Sequence, residues 1–217
     1  IMMIMMTIMI SIIDTHPIIP VVALEKVEHA VPLAESLLSS GISVLEVTLR
    51  TDAAIESITK IINSVPELTV GSGTVCNERQ FKISQDIGCK FIVSPGLTPS
   101  LLNLARESQQ DYLPGISSAS DIMLGLEYGF TRFKFFPAES LGGVNTLKSL
   151  KGPFSNVKFC ATGGIGANNF LNYLSLDNVS AVGGSWITPP KLMDANEWLQ
   201  IEQLVRQAMS LKSASVS

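Results

Sequence analysis

Past Pro17 the chain alternates between two hydrophobic patterns. Short apolar runs rich in β-branched and aromatic residues occupy 18–23, 44–49, 69–74, 91–94, 112–116, 130–136, 157–161 and 179–183. Runs of this length and composition read as strands. The stretches between them repeat their apolar residues every three or four positions, as helices do. Ile55, Ile58, Ile62 and Val65 form such a series after an expected N-cap at Thr51. Thr98-Pro99 reads as a cap followed by proline at the first helical position, with Leu101, Leu102 and Ala105 on one face. Ser118 and Asp121 have capping-box spacing, and Gly129 stands where that helix should close. Gly41 and Gly88 end two more helical stretches.

Strands that alternate with helices require parallel pairing through right-handed crossovers. Eight such units without a linker predict a single-domain α/β fold, a (β/α)8 TIM barrel over 17–210, with a polar tail at 211–217. The alternative is an open doubly wound sheet, which wants a glycine-rich loop after its first strand. That strand leads instead to Leu24-Glu25-Lys26, and Gly71-Ser72-Gly73 lacks the third glycine. The N-terminal segment 1–16 is unusually rich in Met and Ile. It is too short to span a bilayer and lacks the basic start of a secretory signal. It reads as a cloning remnant, a poorly defined terminus or a short helix packed on the body.

Composition narrows the function classes. Apolar residues make up 46% of the 217 and the net charge is −4, which suits a large core and offers no basic surface for nucleic acid or an anionic membrane. Cys76, Cys89 and Cys160 are far apart and form no CxxC, so reduced thiols in a cytoplasmic protein are expected rather than disulfides or zinc. No HxH, HExxH or paired-Asp motif suggests a metal, and His16 and His29 read as structural or surface residues.

The candidate chemistry starts at Lys134, inside the run Phe130-Thr131-Arg132-Phe133-Lys134-Phe135-Phe136-Pro137. Alternation puts Arg132, Lys134 and Phe136 on one face. A lysine held among aromatics loses hydration of its charged form, so its pKa should fall. A neutral amine attacks carbonyls, as Schiff-base enzymes require. The strand alone also admits an edge position with Lys134 in water. In Leu45-Glu46-Val47-Thr48-Leu49-Arg50, Glu46, Thr48 and Arg50 share a face. Glu46 then points into the barrel, either for catalysis or in a structural pair with Arg50.

Barrel active sites lie at the C-terminal strand ends. There the chain offers small residues at Gly73-Thr74, Ser94-Pro95-Gly96 and Pro114-Gly115, each also readable as turn punctuation. Thr162-Gly163-Gly164-Ile165-Gly166 and Gly183-Gly184-Ser185-Trp186 follow the seventh and eighth runs. Two glycine pairs at these positions can form backbone N–H nests for phosphate, aided by the N-terminus of the next helix.

Together these stretches closely resemble the 2-keto-3-deoxy-6-phosphogluconate (KDPG) aldolases, a family that also acts on 4-hydroxy-2-oxoglutarate (KHG). The likeness extends from about Pro17 to the last helix. It implies a cofactor-free, metal-free class I aldolase of the (β/α)8 fold, assembled as a homotrimer. By the resemblance, Lys134 forms the Schiff base and Glu46 is the acid/base. Arg50 and Thr74 hold the keto-acid end, and Pro95 and Phe136 shape the pocket near the imine. Thr162, Gly163, Gly164, Gly184 and Ser185 line the far end and the phosphate. Other readings are an aldolase for the galactonate epimer, a barrel sugar-phosphate isomerase, and a non-catalytic phosphate-ligand binding protein.

Overall fold

The computed structural model describes residues 11–215, so the first ten residues of the Met/Ile-rich segment lie outside the described residues. Nine parallel strands form one sheet. They are β1 (Ile18–Val22), β2 (Val44–Thr48), β3 (Thr69–Gly73), β4 (Phe91–Val93), β5 (Asp111–Leu113), β6 (Gly115–Ile116), β7 (Arg132–Phe135), β8 (Lys158–Thr162) and β9 (Val179–Gly184). Their order is β5-β4-β3-β2-β1-β9-β8-β7-β6. The two end strands, β5 and β6, are successive pieces of one segment joined at Pro114, so the sheet curls round and closes as a (β/α)8 barrel.

The count of nine corrects the single fifth run expected over 112–116. Pro114 has no N–H to give to the ladder, so pairing breaks there. The segment changes partners at the break: β5 pairs with β4, and β6 with β7. Gly115 permits the closure. A Cβ on it would lie 2.3 Å from the Pro95 backbone.

Ten α-helices are described: α1 (Ile12–Thr15), α2 (Ala30–Ser39), α3 (Ala54–Ser64), α4 (Glu78–Asp86), α5 (Pro99–Ser108), α6 (Ala119–Glu127), α7 (Gly143–Leu150), α8 (Phe170–Leu174), α9 (Pro190–Asp194) and α10 (Trp198–Ala214). Thr98 caps α5 by accepting from the Leu101 N–H, and Ser118 with Asp121 forms the expected capping box on α6. Gly41, Gly88 and Gly129 sit at positive φ just past α2, α4 and α6. Two local expectations fail. Thr51 does not cap α3, because its hydroxyl donates to the Leu24 carbonyl instead. The buried stripe of α3 is Ala54, Ser57, Ile58 and Ile61, one residue off the expected series at Ile55 and Ile62, and Ile55 is left exposed.

Most of the core lies between the sheet and its helices. Outward-facing Val47, Val70, Phe133 and Phe159 are buried there. Gly125 on α6 lets that helix press onto Phe133, whose ring would stand 2.3 Å from an added Cβ. Partnered residues of parallel strands share a face, so the register fixes the inner surface. One ring runs Val21–Glu46–Gly71–Phe91–Asp111. The other side runs Gly115–Lys134–Cys160–Ala181. Gly71 leaves room for the Phe91 ring to fill the interior. At the N-terminal end, α1 closes the barrel floor. Asp111 accepts the Ile12 N–H at 2.7 Å and the Ser11 hydroxyl at 3.1 Å, while Asp14 pairs with Arg132 at 3.2 Å.

Candidate active site

Lys134 lies on an interior strand, flanked by β6 and β8, and is only 6% exposed. That removes the edge-strand alternative. Its Nζ donates to Glu46 Oε1 at 3.4 Å and stands 5.3 Å from the centroid of the Phe136 ring. Glu46 is as deeply buried, so a full ion pair sits inside the barrel. The Glu46–Arg50 structural pair considered from sequence is not formed. Arg50 is exposed, and its Nε donates to Thr48 Oγ1 at 3.1 Å. Thr48 Oγ1 in turn donates to the Val22 carbonyl, so the ladder itself fixes the hydroxyl that Arg50 leans on.

Room for the Glu46 carboxylate comes from Gly73, where an added Cβ would lie 2.1 Å from Oε1. The next residue, Thr74, has φ +60. A β-branched residue in the left-handed region is strained, and such strain gathers at functional sites. Pro95 and Phe136 are half-buried around the mouth, and Pro95 contacts the closure at Gly115.

Cys160 shares the inner surface with Lys134. Burial pushes its thiol up to about 12, the Lys134 charge opposing and the Glu46 charge adding to that rise. A thiol so held stays neutral and acts as a small apolar filler beside the ion pair. One step further along β8, Thr162 Oγ1 lies 3.8 Å from Cys160 Sγ, and its hydroxyl would touch a Cβ on Gly183 at 2.6 Å. The alternation Cys160/Thr162 gave this inward position away in the sequence, though Cys160 was not among the expected site residues.

The two glycine loops lie against each other. An added Cβ on Gly184 would meet the Trp186 ring at 2.4 Å and the Ile165 carbonyl at 3.3 Å. Gly163 and Gly164 take φ +101 and +76. Gly164 N–H has no acceptor among the described residues. Ser185 is exposed just beyond. The expected help from a helix N-terminus is corrected: α8 begins only at Phe170 and has five residues. The Gly166 N–H is already spent on Asn169 Oδ1 at 2.8 Å. Any nest here is built by the loops themselves.

Among the described residues, no three His, Cys, Asp or Glu side chains converge as a metal site, and no helix is long and apolar enough to cross a membrane. His29 is buried edge-on against the Trp198 ring. A cavity of ≈ 340 Å³ lined by Glu139, Asn145, Asn169 and Tyr173, among others, contains none of the expected site residues.

Fold and site define a (β/α)8-barrel enzyme whose polar interior centres on a lysine and a glutamate. Comparison with known proteins carries this further. The family model for KDPG and KHG aldolase matches residues 9–204. The chain belongs to that family and is a carbon–carbon lyase. It is 47% identical to the KHG/KDPG aldolase of Escherichia coli K12, across 92% of this chain and 93% of that one. The KDPG aldolase of Dickeya dadantii is 45% identical over 92% of this chain and 94% of its own. Among solved structures, a KDPG aldolase from Legionella pneumophila, with pyruvate captured as a covalent carbinolamine, superposes with a TM-score of 0.89 at 43% identity. That match covers 90% of this chain and 95% of the other.

Proposed function

We propose that this enzyme cleaves KDPG to pyruvate and glyceraldehyde 3-phosphate through a Schiff base on Lys134, and that it also cleaves KHG to pyruvate and glyoxylate. The observation that carries the reading is the buried Lys134–Glu46 pair, 3.4 Å between Nζ and Oε1. Removing two charges from water is costly, and a buried pair seldom stabilises a fold more than apolar packing would. Its presence is therefore better accounted for by chemistry than by stability.

The Lys134 amine attacks the C2 ketone, and loss of water leaves a protonated imine. Glu46, directly or through a water, takes the proton of the C4 hydroxyl. The C3–C4 bond then breaks, its electron pair flowing into the imine, and the aldehyde leaves. The enamine is protonated at C3, and hydrolysis of the imine releases pyruvate and restores the amine. Arg50 and Thr74 bind the carboxylate end, Pro95 and Phe136 wall the imine pocket, and Thr162, Gly163, Gly164, Gly184 and Ser185 receive the phosphate. By the same family likeness the chain works as a homotrimer in the cytoplasm, in keeping with three free thiols.

Incubation with pyruvate and sodium borohydride, followed by peptide mapping, tests the mechanism. A reduced pyruvyl adduct on Lys134 is expected. No adduct, or one on an exposed lysine such as Lys148, would replace the aldolase mechanism with another use of the barrel.

A further inference from the structure

The 162–166 loop is held from behind by a side chain that has no part in the chemistry. Asn169 Nδ2 donates to the Gly164 carbonyl at 3.0 Å, and Asn169 Oδ1 accepts the Gly166 N–H at 2.8 Å. One amide thus bridges both ends of the Gly164-Ile165-Gly166 turn. On the other side, the Ala138 and Glu139 N–H groups donate to the Thr162 and Gly163 carbonyls at 2.8 and 3.1 Å. The Glu139 side chain lies flat on Gly164, whose added Cβ would come within 2.5 Å of it. Tyr173 of α8 donates its hydroxyl to the Glu139 carboxylate.

Most of these ties are backbone bonds or sit under Gly163. Asn169 is the side chain that fixes the peptide planes on either side of Ile165. Two glycines at positive φ are intrinsically mobile, so the direction of the Ile165 N–H, which shares its peptide plane with the Gly164 carbonyl and has no acceptor among the described residues, depends on what holds that carbonyl. An amide bridge orients that N–H before the ligand arrives and lowers the ordering cost of binding.

We propose that Asn169 is a positioning residue that sets the loop's N–H geometry and so the enzyme's preference for a substrate with a phosphorylated end. The proposal rests on the assignment of this loop to the phosphate. It concerns a residue that touches no substrate atom, so its effect should fall on binding of one end of the substrate. A merely structural role would weaken every reaction alike.

The test is steady-state kinetics of Asn169→Ala with two substrates, KDPG and the non-phosphorylated KHG, alongside borohydride trapping of pyruvate. Losing two ordinary hydrogen bonds should raise KM for KDPG by about tenfold. The kcat should stay within about twofold, as should kcat/KM for KHG and the yield of adduct on Lys134. Asn169→Asp keeps the acceptor for Gly166 but cannot donate to Gly164, and should also raise KM for KDPG alone. Equal losses with both substrates, or no change with either, would overturn the proposal. The wild-type protein separates this from failure of the aldolase reading. If it forms no adduct on Lys134, the aldolase reading falls; if it forms the adduct but the variants keep its substrate preference, only the role of Asn169 falls.

Discussion

A lysine and a glutamate buried together are informative because each would be costly alone. Removing one partner leaves an uncompensated charge in the interior. Lys134→Ala is therefore expected to abolish the borohydride-trapped adduct and nearly all turnover, with unfolding followed separately to confirm that the barrel persists. Glu46→Gln keeps the shape and removes the base. Its kcat should fall by roughly 10²–10⁴, the usual worth of general acid–base help, as read in a coupled pyruvate assay. Gly73→Ala tests the geometry without touching either group. Its methyl would have to occupy space 2.1 Å from Glu46 Oε1, so the carboxylate must swing away. A displacement of that order should cost about 10²-fold in kcat while pyruvate still reacts with Lys134. Unchanged kcat in Gly73→Ala would mean that Glu46 tolerates relocation and is not a precisely placed base.

Elements whose ends are governed by local chemistry were readable in the sequence. Thr98 before Pro99 and the Ser118/Asp121 box form as expected, because each bond lies within one turn of the chain. Thr51 offered the same residue type, but a carbonyl from a neighbouring loop took its hydroxyl. The box also carries a pH signature. Burial alone would raise the Asp121 carboxyl, yet hydrogen bonds from the Ser117 and Ser118 N–H groups and their hydroxyls outweigh it and hold the pKa below the ordinary value. A depressed carboxyl adds stability above its unfolded pKa and loses it as pH falls through the folded one. Asp121→Asn should therefore be less stable than the parent at neutral pH. The gap should close on acidification below the normal aspartate range, as measured by urea unfolding across pH. A gap independent of pH would assign the loss to shape and not to charge.

The barrel as a whole depends on one segment changing partners at Pro114. Gly115 meets the Pro95 backbone there, where neither side can yield as a flexible side chain could. Gly115→Ala should lower unfolding stability by about 1–3 kcal/mol, the range of overpacking, and should loosen the Pro95 wall of the site. Chemical denaturation of the parent and variant would measure it, and an unchanged midpoint would show that the closure is elastic. The floor is a second whole-molecule feature. Asp111 and Arg132 begin their strands far apart in sequence, and both are met by the single turn of α1.

The hydrophobic periods by themselves determined the alternating strands and helices and the parallel barrel, and they set Glu46 on one face with Thr48 and Lys134 on one face with Arg132 and Phe136. Those features follow from side-chain direction, which repeats within each element. The motifs also carried the family likeness, since the residues concerned sit on those same strand ends. Only the tertiary structure decided which inward groups meet. Glu46 reaches Lys134 and not Arg50, because closing the barrel brings β2 and β7 across the interior from each other and Gly73 clears the way. It also decided that the fifth strand splits at Pro114, that α8 starts too late to lend its N-terminus to the glycine loop, and that Asn169 braces that loop instead. Each of these turns on which backbone group finds which partner. That competition is settled by distances between segments far apart in the chain, and no local pattern encodes it.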